Sequence, residues 1–106
     1  MSRAQPEKHT QLQIIKYLRM RGFAVGKIKT TGARKGNVFL YDPYQFRGVA
    51  DLMAFVPRLV FIEVKHGKNT LSTEQMIFQS LCKSALIPYL VVYSLEELIE
   101  KIDTFT

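Results

Sequence analysis

The 106-residue sequence has a single cysteine, Cys82, and no apolar run long enough to cross a membrane. One thiol excludes an intrachain disulfide and suits a reducing, intracellular setting. With His9 and His66 as its only histidines, the chain has no structural zinc set either. Acids are scarce: nine Asp and Glu face fifteen Lys and Arg, for a net charge of +6. Four of those acids, Glu96, Glu97, Glu100 and Asp103, sit near the C-terminus, and most of the basic charge lies between Arg3 and Lys68. That imbalance suits an anionic partner, nucleic acid first, although a solvated basic surface would read the same way. The segment MSRAQPEKHTQ is too polar for a secretory signal. There is no repeat, low-complexity tract or linker. An apolar share of 47% and a charged share of 23% place the chain among globular proteins. One domain over residues 1–106, with a modest core, is expected.

Pro6 suits the first turn of a helix and Gly22 its stop, so residues 6–21 read as helical. At 100° per residue, Glu7, Gln11, Ile14, Ile15 and Leu18 form one stripe. The aliphatic residues make it core-facing, and Glu7 continues it at the helix start. FAVGKIKT (23–30) and NVFLY (37–41) read as strands joined by TGARKG, a flexible basic loop. YDPYQFR (41–47) is an aromatic-rich loop. Residues 50–56 and 59–65 are two further strands. Residues 73–86 form a helix whose apolar face is Ile77, Phe78, Leu81, Cys82 and Ala85. PYLVVY (88–93) is a strand and 95–103 an acidic helix. The order αββββαβα implies an α/β fold with a mixed central β-sheet flanked by helices.

The strands at 50–56 and 59–65 carry Asp51, Glu63 and Lys65 in otherwise apolar text. Side chains alternate along a strand, so Phe61, Glu63 and Lys65 share one face and Val60, Ile62 and Val64 the other. Asp51 shares a face with Met53 and Phe55. A two-residue loop of Pro57 and Arg58 would put Asp51 opposite Val64. An odd loop or a bulge puts it beside Glu63 and Lys65. No Asn-Gly or Gly-X marks a two-residue turn, so the odd loop is expected. Two carboxylates about 5 Å apart repel by roughly 3 kcal/mol at an effective dielectric near 20. They need a proton or a cation. Lys65 supplies one positive charge, and a divalent ion would supply two more. Two carboxylates, the Val64 main-chain carbonyl and waters suit Mg²⁺. A plain salt bridge between Lys65 and one acid leaves the other acid without a partner, which favours the metal.

Asp, a hairpin, then Glu-x-Lys on the next strand resembles the PD-(D/E)xK nuclease signature. Gly48-Val49-Ala50-Asp51, Ile62-Glu63-Val64-Lys65, Leu71-Ser72, Gln75 and Ser94-Leu95-Glu96-Glu97 are together similar to the VRR-NUC family, the virus-type replication-repair nucleases. The likeness spans nearly the whole chain, with a stand-alone phage-like domain as the nearest type. It implies a restriction-endonuclease-like fold, with Asp51 and Glu63 as metal-binding carboxylates and Lys65 as the catalytic lysine. It makes the Val64 carbonyl a ligand, Glu7 the first-helix acid that approaches the metal directly or through water, and Gln75 the glutamine of the following helix. Ala50 stands where the family often has proline, a residue that shapes the strand entry and does no chemistry.

Several of these residues have plainer readings. Glu7 suits a first-turn acid stabilised by the helix dipole. Gln75 completes a capping box, Ser72-Thr73-Glu74-Gln75, and cap and site are compatible roles. Ser94 to Glu97 is a second box. Cys82 is core packing. Arg34, Lys35, Arg47 and Lys68, with Lys27 and Lys29, read either as a solvated face or as DNA phosphate contacts beside the motif. Tyr41, Tyr44 and Phe46 read as base-stacking groups or as packing within the domain or at a subunit contact. The resemblance implies a Mg²⁺-dependent (or Mn²⁺-dependent), structure-selective endodeoxyribonuclease similar to Holliday-junction resolvases. Such an enzyme would leave a 5′-phosphate and act as a homodimer on branched DNA. Its setting would be phage or prophage recombination and repair in a bacterial cytoplasm, with no membrane partner. The alternatives are a flap or nicking nuclease without junction preference, a sequence-preferring restriction- or toxin-type nuclease, and a non-catalytic basic DNA-binding module. No obvious base-reading helix supports the restriction-type reading.

Overall fold

Gly22 and Leu86 end two helices by the same device, and what lies between them builds the sheet. The computed structural model describes residues 5–28, 33–35, 38–40 and 44–105, with side chains described for 6–28 and 44–105. Helix α1 spans Gln5–Met20. Gly22 follows with φ 89°, and the Phe23 N–H reaches back to the Leu18 carbonyl at 3.0 Å. That is the left-handed stop expected of glycine. Helix α2 spans Thr73–Ser84 and ends two residues earlier than its sequence pattern suggests. The Ile87 N–H returns to the Cys82 carbonyl at 2.8 Å, and Leu86 holds the left-handed position with φ 59°. A leucine there costs about 1–2 kcal/mol of backbone strain, and its side chain is 81% exposed, so packing repays little. Leu86→Gly is expected to raise the unfolding free energy by about 0.5–1 kcal/mol, the gain being trimmed by glycine's greater unfolded-state entropy. A urea titration read by circular dichroism checks this.

Strands β1 (Ala24–Lys27), β4 (Leu52–Phe55), β5 (Leu59–Val64) and β6 (Tyr89–Val92) form one sheet in the order β1-β4-β5-β6. The first three are antiparallel neighbours. β5 and β6 run parallel, with α2 in the crossover between them. Helix α3 (Leu95–Ile102) closes the order. One face of the sheet carries the main core. Ile14 and Leu18 of α1, Val60, Ile62 and Val64 of β5, Val92 of β6, and Leu98 and Ile102 of α3 are all sealed from solvent there. Each buried aliphatic side chain contributes about 1.5–3 kcal/mol. The stripe read on α1 therefore faces the core. The other face is thin: Ala50, Phe78 and Cys82 are buried there, with Val49, Phe61, Ile87 and Tyr89 packed around them. No helix among the described residues is long and apolar enough to cross a membrane.

Two expectations need correction. The segment TGARKG is not wholly loop: Ala33–Lys35 is strand β2, and it pairs antiparallel with β3, Val38–Leu40. The order is thus αβββββαβα, and the strand expected at 37–41 joins a separate two-stranded sheet. Its register sets Lys35 opposite Val38. The second correction concerns α2. Of its five expected apolar-face residues, Phe78 and Cys82 are buried, whereas Ile77, Leu81 and Ala85 are exposed. Only the line 75-78-82 meets the sheet, because the helix covers a narrow strip over Phe61 and Tyr89.

Candidate active site

The β4–β5 turn decides where the acids fall. Leu52 pairs with Ile62 and Phe55 with Leu59, so Val56, Pro57 and Arg58 make an odd, three-residue turn, with the Val56 N–H donating to the Arg58 carbonyl at 2.8 Å. Continued by one residue, that register sets Asp51 opposite Glu63. Both are buried, on the thin face of the sheet. Bonding directions alternate along β5: the Phe61 and Lys65 N–H groups go to the β6 side, reaching Pro88 and Val92. Those of Ile62 and Val64 therefore face β4. The β4–β5 pairing stops at Leu52–Ile62. The next β5 donor on that side, the Val64 N–H, is taken at 2.8 Å by Asp51 Oδ2. The strands part here, and a carboxylate fills the gap.

Asp51 therefore has a protein partner, against the expectation that a Lys65 salt bridge would leave one acid unpartnered. The neutral Val64 N–H steadies the carboxylate without cancelling its charge. Lys65 Nζ lies 3.6 Å from Glu63 Oε2, with both side chains largely buried. Two acids and one ammonium leave this cluster one negative charge in excess.

Gln75 ties the cluster to α2. Its Oε1 accepts from Lys65 Nζ at 2.8 Å and from the Ser72 N–H at 2.8 Å, and its Nε2 donates to Glu63 Oε2 at 3.1 Å. Lys65 and the Ser72 N–H can only donate and a carboxylate accepts, so the partners fix which way the amide points. The Gln75 N–H bonds to Ser72 Oγ at 3.2 Å, completing the capping box. Both roles read for Gln75 are thus present geometrically: it caps α2 and it touches the motif. The second box is altered. Ser94 Oγ accepts from the Glu97 N–H, but Glu97 Oε1 accepts from Tyr93 N–H rather than from the cap itself.

Glu7 stands apart from the pair. Its Oε2 accepts from Asn69 Nδ2 at 3.4 Å, in the loop after β5, and Tyr93 Oη holds the Asn69 carbonyl at 2.7 Å. No group of three or more His, Cys, Asp or Glu placed to hold a metal occurs among the described residues. Glu7 thus does not complete a three-acid group with Asp51 and Glu63 among the described residues. The donor set still fits a hard cation. Asp51 and Glu63 bring carboxylate oxygens from adjacent strands. The N–H and C=O of an extended residue point to the same side, so the Val64 carbonyl is turned toward β4 and Asp51.

The other candidates are spread over the surface. Arg47 pairs with Glu74 at 3.3 Å, both exposed, and Lys27 and Lys68 are exposed. The backbones of Arg34 and Lys35 form β2, while their side chains, like all of Lys29 and Tyr41, lie outside the described residues. Tyr44 is exposed. Phe46 meets Phe78 edge-on at 5.9 Å yet is 69% exposed, so it packs on one side only. His9 and His66 are exposed, and burial pushes the buried Cys82 thiol up. A cleft of about 520 Å³ is lined by Gln79, Ser80, Lys83, Ile87, Pro88 and Tyr89, and includes neither Asp51 nor Glu63 in its lining. Asn69 and Tyr89 went unread in the sequence. Both depend on a parallel pairing and a loop path that local patterns do not encode.

No protein-family model matches the chain, and no curated protein matches it. A solved structure described as a VRR_NUC domain is similar, with a TM-score of 0.71 and 18% identity, over 95% of this chain and 98% of that one. The α/β, restriction-endonuclease-like fold expected from the sequence is the fold present.

Proposed function

We propose that this chain is a nuclease of the VRR-NUC type. In the fuller form of the proposal it is a Mg²⁺- or Mn²⁺-dependent, structure-selective endodeoxyribonuclease that cuts branched DNA, in the manner of Holliday-junction resolvases. The observation that carries the reading is the meeting of Asp51, Glu63 and Lys65 where β4 and β5 part, with Lys65 held by Gln75. It is supported by the likeness in fold to a VRR_NUC domain structure.

Asp51, Glu63 and the Val64 carbonyl would hold the cation. When bound, it would make a hydroxide-like nucleophile available at neutral pH and neutralise charge on the phosphoryl group. The rest falls to the chain's own residues. Lys65, largely buried and fixed by the Gln75 oxygen, would present its remaining protons to the attacking water or to a phosphate oxygen. Gln75 bonds to both members of the Glu63–Lys65 ion pair and so fixes their relative placement. Arg34, Lys35, Arg47 and Lys68 would neutralise backbone phosphates, and Glu7 would act through water or directly. A homodimer would present two such sites, matching the two-fold symmetry of a four-way junction. Recombination or repair in a phage-infected or prophage-bearing bacterium is the setting proposed.

One observation favours a second reading, a basic DNA-binding module with a structural acid cluster. Each acid already has a protein partner, Asp51 in the Val64 N–H and Glu63 in Lys65 and Gln75. Cleavage separates the two. Labelled four-way junction, flap and linear duplex are incubated with Mg²⁺ or with EDTA. Paired, Mg²⁺-dependent nicks in the junction support the resolvase-like form. Cuts in flap or duplex alone keep the nuclease and remove the junction preference. Salt-sensitive binding without cleavage under Mg²⁺ or Mn²⁺ would leave the binding module.

A further inference from the structure

Tyr89 is a half-buried residue with a sealed hydroxyl, near the carboxylates, to which the proposed mechanism gives no task. Parallel pairing sets Tyr89 of β6 against Phe61 of β5, so its side chain lies on the face that carries Phe61 and Glu63. Its ring packs 6.1 Å from that of Phe78 on α2, one turn along from Gln75. The hydroxyl oxygen is sealed from solvent and has no hydrogen-bond partner among the described residues. An unmatched buried hydroxyl costs stability, and native proteins keep few of them without a reason. Phenylalanine would make the same ring contacts with Phe61 and Phe78 and avoid that cost. Burial first, then the negative charge of Glu63, with smaller contributions from Cys82 and Asp51, pushes the phenol well above its usual range. An unmatched buried hydroxyl gains by meeting a partner, and the carboxylate of Glu63, on the same face of the sheet, is an acceptor.

We propose that Tyr89 is a positioning residue of the carboxylate site: its unmatched hydroxyl, on the sheet face of Glu63, becomes a hydrogen-bond donor to this acid when the acid turns to a cation, and fixes the orientation in which it faces that ion. Gln75 holds Glu63 from the α2 side, and Tyr89 would hold it from the β6 side. Carboxylates that bind metals are themselves hydrogen-bonded, and loss of such a support typically lowers metal affinity about 10- to 100-fold. The inference rests on the reading of Asp51 and Glu63 as cation ligands.

Tyr89→Phe tests it against wild type by thermal melts with and without Mg²⁺, and by calorimetric titration with Mg²⁺ and with Mn²⁺. The expected variant is folded and, without metal, melts at or above the wild-type temperature. Its cation affinity falls about tenfold or more, and its melting point rises less on adding Mg²⁺. Wild-type affinity in the variant would overturn the role of the hydroxyl. So would a lower melting point without metal, which would reveal a structural partner. If wild type itself takes up neither cation, the ligand reading of Asp51 and Glu63 falls first and the Tyr89 role with it. The wild-type titration tells those failures apart.

Discussion

Asp51→Asn is expected to abolish Mg²⁺-dependent cleavage while leaving the fold intact. The two halves of that result come from different atoms. Asp51 Oδ2 accepts the Val64 N–H, and the carbonyl oxygen of an asparagine can accept it as well, so the contact that closes the end of β4 survives. The charge does not survive. Removing one of two buried acids on facing positions also removes their mutual repulsion, so the melting temperature should hold or rise. Cleavage should drop by more than the roughly 10- to 100-fold that loss of a ligand's supporting contact costs, because a ligand itself is lost. Addition of Mg²⁺ should no longer raise the melting point. The opposite pattern would assign the acid to structure. If Asp51→Asn lost the 3–5 kcal/mol typical of a broken buried ion network, the cluster would be part of the folding core and the nuclease proposal would fail.

Gly48→Ala should be among the most destabilising single-methyl additions in the chain. Gly48 sits at φ 71°, where a side chain is strained by about 1–2 kcal/mol. An added Cβ would also overlap the carbonyl carbon and oxygen of Glu74 and come within 2.6 Å of the Gln75 nitrogen. These are backbone atoms of the first turn of α2, which cannot swing aside as a side-chain tip can. Overpacking of this kind costs about 1–3 kcal/mol more, so a total loss of about 2–5 kcal/mol is expected from denaturant unfolding. The fraction that still folds must displace the start of α2 and, with it, the amide that holds Lys65 and Glu63. Its cleavage rate should fall below what the folded fraction alone would give. A variant within 0.5 kcal/mol of wild type would show that this close approach is not a real constraint.

Much of this arrangement was legible in the sequence, and the failures have physical causes. The stripe of Ile14, Ile15 and Leu18 follows from helical period and is buried as read. The face shared by Glu63 and Lys65 follows from strand alternation. The odd turn at Val56, Pro57 and Arg58 could be inferred from the missing two-residue turn signal. The reading of α2 went wrong because period identifies an apolar stripe but not the width of what it meets: Ile77 and Leu81 look like core and are half or more exposed. The basic stretch at 33–35 hid a strand because cations suggest solvent, while its pairing partner is what makes it a strand. Glu7 continues the core stripe, yet the described geometry gives it to Asn69. Tyr89 could not have been read at all, since its place beside Glu63 depends on a parallel register set by a helix crossover.

One oxygen atom, Gln75 Oε1, closes the first turn of α2 through the Ser72 N–H and holds the Lys65 ammonium in the same moment. Nucleation is the unfavourable step in making a helix, and here the nucleating turn and the poised lysine share a single acceptor. A chain with α2 unformed therefore lacks the contact that places its lysine. Chemistry of the proposed kind would then require the first turn of α2 to be formed. In the proposed nuclease, that coupling would leave copies lacking α2 without an assembled site.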